Sequence, residues 1–374
     1  MISRNLLILI SSYAISWCIM ALAFSATASV GYEMTGDKSI ALFPLIMQVF
    51  GACIITMPAV KIMTLYGRRS GFMLGSVMGI VGGLMCALSI YHQNFWLLVC
   101  STPFLGMFTG FGEFSRYAAA DACDNKQQKS KAISIVISGG IVAAFAGPSI
   151  ASYSNQYLLS IAPYFGPYLA ASVLCALSLV LYSQLKIDNK FKPKEGNNKF
   201  SSLEVIRNPV FLVATSVAAI GYLVMAAMMD AFPFTMLDHS MHFSDTATVL
   251  QWHMLAMFGP SYLTARYINK FGVSVAIFTG ILFNLVGLLS ALQGVMFVNF
   301  WICLFMIGLG WNLMYLAGTD MITNMSDKER PRAEGLSSLV IMASFALSAP
   351  LAAVILVNRQ FVLKAYLPAV TVSD

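Results

Sequence analysis

Apolar stretches recur along nearly the whole chain with short polar breaks between them. A run of about 20 apolar residues is the length that crosses a bilayer as an α-helix. The pattern predicts spans at 6–30, 39–63, 70–91, 95–120, 131–153, 163–185, 207–232, 244–268, 272–293, 297–323 and 333–357. Helices are the solution expected, because an open strand edge could not satisfy its backbone hydrogen bonds in lipid. The remaining residues 361–374 contain Pro368 and are too short for a full twelfth crossing, so they read as half a helix or a truncated end. In the first span, Arg4, an apolar run and Ala26-Thr27-Ala28 imitate a secretory signal with its cleavage site. The length of that run and the charge distribution along the chain argue instead for a retained helix.

Composition turns the pattern into a class. Of 374 residues, 58% are hydrophobic and 10% charged, which excludes a soluble globular domain and implies an all-α integral membrane protein. With the N-terminus inside, the inner set is Arg4, Lys61, Arg68, Arg69, Lys126, Lys129, Lys131, Lys186, Lys190, Lys192, Lys194, Lys199, Arg207, Arg266, Lys270, Lys328, Arg330 and Arg332, eighteen of the 22 Lys and Arg. The positive-inside rule then sets a cytoplasmic N-terminus. The net charge of +6 therefore reports topology and gives no sign of nucleic-acid binding. The seven cysteines lack ligand spacing and read as small packing residues.

The longest polar stretch, 186–206, reads as a basic cytoplasmic linker between an N-terminal half, 1–185, and a C-terminal half, 207–374. The halves resemble each other. Gly110-x-Gly112 and Tyr117 in the fourth span match Gly308-x-Gly310 and Tyr315 in the tenth. Further on, Asp121 aligns with Asp320, Lys131-Ala132 with Arg332-Ala333, and Gly147-Pro148 with Ala349-Pro350. Leu65-Tyr66-Gly67-Arg68-Arg69 and Asn269-Lys270-Phe271-Gly272 occupy the same loop of their own halves. Two homologous six-helix halves related in parallel are the repeat of a large class of secondary transporters.

On these residues the sequence resembles the major facilitator superfamily over its whole length, apart from the end of the twelfth helix. The family's signature after the second helix is Gly-x-x-x-Asp-Arg-x-Gly-Arg-Arg. Gly67, Arg68 and Arg69 match it, whereas Val60, Thr64 and Leu65 replace its first Gly, Asp and first Arg. The run Gly139 to Ala151, with Gly147-Pro148, is similar to the family's antiporter motif, although close packing through small residues accounts for it equally. The resemblance implies a fold of two six-helix halves with a pseudo-two-fold repeat and alternating access around a cavity lined by helices one, four, seven and ten. It also implies a monomer, the proton gradient as energy source in place of a cofactor, and residence in a bacterial inner membrane.

Within that frame, helical spacing puts Thr109, Glu113, Arg116, Tyr117 and Ala120 on one face of the fourth span. The matching face of the tenth carries Trp311, Asn312, Tyr315 and Thr319, and Tyr222 lies on the seventh. Ionised groups at the bilayer centre cost roughly 2.5–3.5 kcal/mol on insertion scales, so Glu113 and Arg116 should face a wet cavity or each other. One reading is a buried ion pair that only holds helices together. The other gives Arg116 the substrate's acceptor group and Glu113 the coupling proton. His253 and Asp230 are further candidates for proton coupling. By resemblance, Gly67, Arg68, Arg69 and Asp121 form a cytoplasmic gate, with Asp320 and Lys270, or Arg266, as its second-half counterpart. His239 and His242 with Asp238 and Asp245 read as a polar outer loop in preference to a metal site.

No nucleophile-base arrangement, phosphate-cradling loop or metal-ligand cluster sits in the spans, so an enzyme is not expected. The expected function is secondary transport of a small polar or amphipathic organic molecule with at least one acidic or carbonyl group, of the metabolite, vitamin or siderophore class. Efflux of drugs or metabolites by antiport, and a non-transporting receptor or scaffold, are the alternatives.

Overall fold

The computed structural model describes residues 3–37, 40–123, 126–187, 202–239, 241, 243–348 and 351–352. Among them are fifteen helices and no strand: α1 (Arg4–Thr35), α2 (Phe43–Tyr66), α3 (Arg68–Tyr91), α4 (Phe95–Gly112), α5 (Ser115–Asp121), α6 (Lys126–Ser138), α7 (Gly140–Tyr157), α8 (Phe165–Ser183), α9 (Ser202–Arg207), α10 (Pro209–Asp238), α11 (Phe243–Phe258), α12 (Ser261–Phe271), α13 (Val273–Gln293), α14 (Phe297–Thr323) and α15 (Arg330–Ala346). Each of the eleven expected spans is helical over most of its described residues. Nine helical segments among the described residues are long and apolar enough to cross a membrane. The expected half-helix at 361–374 and most of the linker lie outside the described residues. The end of that linker is the short helix α9, which buries Val205.

Three spans are broken where the sequence reads as continuous. The fourth splits into α4 and α5 at Glu113-Phe114, the fifth into α6 and α7 at Gly139, and the eighth into α11 and α12 at Gly259-Pro260. Pro260 lacks the N–H needed to continue a helix, which explains the last break.

The first span is a built-in member of the bundle. Its Leu9, Tyr13, Ile19 and Leu22 are buried, and it packs against α4, α7 and α8. The Ser3 hydroxyl accepts from the Leu6 N–H at 3.3 Å and starts the helix. Asn5 then grips the backbone of Lys186, taking its N–H at 3.1 Å and donating to its carbonyl at 2.5 Å. The N-terminus and the start of the linker therefore share one face, as six crossings between them require.

Helices in lipid associate through close approach of small residues. Gly51 sits against the Pro103 backbone, Gly106 against the Gln48 carbonyl, and Gly110 against Ala52 and Ile55, which seats α4 on α2. The repeat reproduces the contact, since Gly308 of α14 sits against His253 and Ala256 of α11. Gly67 and Gly272 share a second feature, φ of +87° and +89°, so both loops turn into the next helix by the same left-handed step. Across the molecule, α2 packs on α15, and α6 and α7 pack on α12 and α11.

A Gly106→Val substitution drives a side chain into the Gln48 carbonyl, and overpacking of this kind costs up to about 3 kcal/mol. Loss of monodisperse protein in fluorescence-detected size-exclusion chromatography is the expected result. Gly221→Ala is the tolerated comparison, because its new methyl meets Met314 at 3.4 Å.

Candidate functional site

The break in the fourth span puts Glu113 where two helical pieces meet, in the middle of the bundle. Its Oε2 accepts from the Tyr315 hydroxyl at 2.7 Å and from Arg116 Nη1 at 3.3 Å. Arg116 is fully buried, with Nη2 donating to the Tyr117 hydroxyl at 3.1 Å and to the Ser338 hydroxyl at 3.2 Å. Its guanidinium stacks 4.3 Å from the Tyr315 ring centre and 4.6 Å from that of Tyr117. The Glu113–Tyr315 and Arg116–Ser338 bonds both join residues of the first half of the chain to residues of the second.

A small cavity lies over this pair, lined by Ser16, Trp17, Met20, Thr109, Glu113, Tyr222, Met342 and Phe345. The expected face of the fourth span is thus divided. Thr109 and Glu113 reach the wall, while Arg116 and Tyr117 lie beneath it. Five lining residues come from elements for which the sequence named no cavity residue: Ser16, Trp17 and Met20 on α1, and Met342 and Phe345 on α15. A tryptophan and a serine inside the first apolar run were the available signal.

Aromatic rings form the rest of the surroundings. Trp311 stacks on Tyr315 with centroids 4.7 Å apart, and meets Tyr222, Phe258 and Trp17 edge-on at 5.3, 5.6 and 6.5 Å. It stands behind Trp17 and Tyr222, one layer back from the void.

Asn312 is turned away from the cavity. Its Nδ2 donates to the Met257 carbonyl at 2.6 Å and to the Ser261 hydroxyl at 2.8 Å, and its Oδ1 accepts from Thr264 at 2.6 Å. These are groups at the α11–α12 break, so Asn312 staples a broken helix whose backbone would otherwise go unpaired in lipid. His253 is also away from the cavity. It is fully buried, its Nδ1 lies 2.6 Å from the Leu304 carbonyl, and it ties α11 to α14. Asp230 accepts from the Ser348 hydroxyl at 2.8 Å. Among the described residues no group of acids, histidines and cysteines could hold a metal ion.

On the face that carries the N-terminus, a closed ring of four charges seals the bundle. Arg68 donates to Asp121 at 2.9 Å and to Glu334 at 2.5 Å, while Arg330 donates to Asp121 at 2.6 Å and to Glu334 at 2.8 Å. Every side chain in it is at most 9% exposed. Each carboxylate bridges both arginines, so the ring is neutral and the low dielectric strengthens each pair. Arg68 and Asp121 were expected together here. Arg330 and Glu334 were not, although their i, i+4 spacing marks them as a pair.

Other expected gate residues are placed differently. Arg69 is exposed, and Lys270 lies over the Phe271 ring at 5.0 Å. Asp320 receives the Ser130 hydroxyl from across the interface, with neither Lys270 nor Arg266 in ion-pair reach. Exposed basic side chains near a helix end find water as readily as a partner, which is why sequence proximity misleads there.

A helical membrane bundle with a cavity lined from both halves and a charge-locked face has the architecture of a secondary transporter. The Major Facilitator Superfamily model matches residues 6–348, and the chain belongs to that family. It is a multi-pass membrane transporter of small molecules, not an enzyme. It is 29% identical over 346 residues to a riboflavin transporter, RfnT, of Brucella anthropi, covering 92% of this chain and 86% of that one. Its fold matches the human organic anion transporter MFSD10 with a TM-score of 0.74 at 14% identity, over 96% of this chain and 95% of the other. It also matches the Escherichia coli fucose:proton symporter FucP with a TM-score of 0.67 at 14% identity, over 95% and 98%.

Proposed function

We propose that the chain is a proton-driven transporter of a bacterial inner membrane, N-terminus inside, that carries a planar, amphipathic metabolite of the vitamin class. Riboflavin, named for the Brucella relative, is the first candidate. The observation that carries this reading is the cavity itself, whose wall combines the rings of Trp17, Tyr222 and Phe345 with one carboxylate, Glu113. Flat aromatic walls favour a flat solute, each ring pair being worth about 0.5–1.5 kcal/mol beyond area burial. Thr109 and Ser16 supply hydroxyls for its polar edge, and Arg116 fixes the orientation of Glu113 from below.

In this reading the halves 1–185 and 207–374 rock about the cavity, and Glu113 reports its charge to both. As a carboxylate it accepts from Tyr315 and Arg116 together. Protonation removes the charge that holds Arg116 and loosens the Tyr315 tie between the halves. The ring of Arg68, Asp121, Arg330 and Glu334 closes the cytoplasmic side while the cavity is served from outside.

The test is uptake of labelled riboflavin, at limiting concentration, into cells that cannot make it. Expression is expected to restore uptake and growth, and Trp17→Ala to raise the apparent KM roughly tenfold, the worth of a lost stacking pair. Uptake no better than the empty vector, with the protein present in the membrane, would remove riboflavin as substrate.

A further inference from the structure

The two places where the halves cross on the cytoplasmic face are related by the repeat, yet only one of them is neutral. At the crossing of α3 and α5 with α15, two arginines meet two carboxylates. At the crossing of α6 with α12, Lys131 and Arg266 converge on one ring, Tyr262, at 5.5 and 4.7 Å from its centre. Lys131 belongs to the first half of the chain, Tyr262 and Arg266 to the second. No carboxylate among the described residues pairs with either cation.

The repeat explains the difference. Arg332-Ala333-Glu334 aligns with Lys131-Ala132-Ile133, so the position that supplies the carboxylate at the first crossing holds a buried isoleucine at the second. Asp320, the counterpart of Asp121, is engaged by the Ser130 hydroxyl. Lys131 and Arg266 are exposed, at the end of the spans where a leaflet's headgroups lie. Two like charges gathered on one ring without an anion repel each other, and an anion between them removes that cost.

We propose that the Lys131–Tyr262–Arg266 crossing binds the phosphate of an anionic lipid headgroup from the cytoplasmic leaflet. The lipid supplies to the second crossing the negative charge that Asp121 and Glu334 supply to the first. Arg266 presents a planar fork to the phosphate oxygens, Lys131 a point charge from the opposite half, and Tyr262 holds both cations in place. Because the two cations come from different halves, the phosphate engages both only when this face is closed. Anionic lipid therefore favours the closed face, whichever solute is carried.

The experiment uses full-length protein in nanodiscs of phosphatidylcholine with increasing phosphatidylglycerol, and reads the rise in Tm. A ligand that binds the folded state stabilises it by mass action. Lys131→Gln with Arg266→Gln is expected to raise the phosphatidylglycerol fraction at half-maximal effect roughly tenfold or more, given what two basic residues contribute at an anionic surface. Lys131→Arg with Arg266→Lys should keep the response, which separates charge from misfolding. Lys61→Gln with Lys328→Gln, two exposed cations removed elsewhere, should keep it as well. An equal loss in that control pair overturns the site in favour of diffuse attraction. Inorganic phosphate giving the same rise in pure phosphatidylcholine discs overturns the lipid assignment.

Discussion

Asp121→Ala is expected to abolish net transport while leaving substrate affinity within a few-fold of wild type. The substitution leaves Arg68 and Arg330, both buried, with one carboxylate to share where each had two. Removing one partner of a buried ion pair costs about 3–5 kcal/mol, because the remaining charge stays desolvated. That cost falls only on the conformation in which the ring is closed. The balance between closed and open states of this face then shifts by roughly two to three powers of ten. Hydrogen exchange measures it directly, as faster exchange at the end of α5 and the start of α15. Glu334→Gln should act in the same direction, since it deprives the same two arginines. A double-mutant cycle between Asp121 and Arg330 should give a coupling above about 1 kcal/mol, as expected for residues of one network. Wild-type transport in Asp121→Ala, or additive effects in the cycle, would show that the ring does not close the transport path.

The ring also shows where a single sequence is legible and where it is not. Spans and repeat were readable because lipid leaves few backbone solutions, so hydrophobic length carries most of the information. The loop glycines Gly67 and Gly272 confirm the repeat at the level of a dihedral angle, since only that residue takes their φ without strain. The breaks were harder. Gly259-Pro260 advertises one, whereas nothing in the run around Glu113-Phe114 distinguishes an interrupted helix from a continuous one. That matters for the site, because a break rotates everything beyond it. Spacing on an unbroken helix joins Glu113 to Arg116 and Tyr117 as one cavity face, while the bundle exposes the first to the void and buries the other two. Asn312 went astray for a different reason. One residue is a step of about 100° on a helix, and that step separates the ring of Trp311, among the aromatics, from an amide that serves α12.

Glu113→Gln is expected to uncouple the protein from the proton gradient. The amide keeps the shape of the carboxylate, can still accept from the Tyr315 hydroxyl, and cannot gain or lose a proton between pH 5 and 8. Exchange of labelled for unlabelled substrate across proteoliposomes, which needs no net proton movement, should persist within about tenfold of wild type. Concentrative uptake driven by an imposed pH difference should fall to the background of empty vesicles, the full effect of losing the driving force. Tyr315→Phe separates the two duties of Glu113. It deletes the 2.7 Å bond across the halves but leaves the carboxylate and its 3.3 Å contact with Arg116. A lost hydrogen bond to a charged group is worth about 1.5–3 kcal/mol, so this variant should change the turnover rate by roughly one to two powers of ten and still accumulate substrate. If Glu113→Gln accumulates substrate against its gradient with an unaltered dependence on pH, the proton travels by another group. Asp230, the partly buried carboxylate held by Ser348 on α10, is then the residue to replace next.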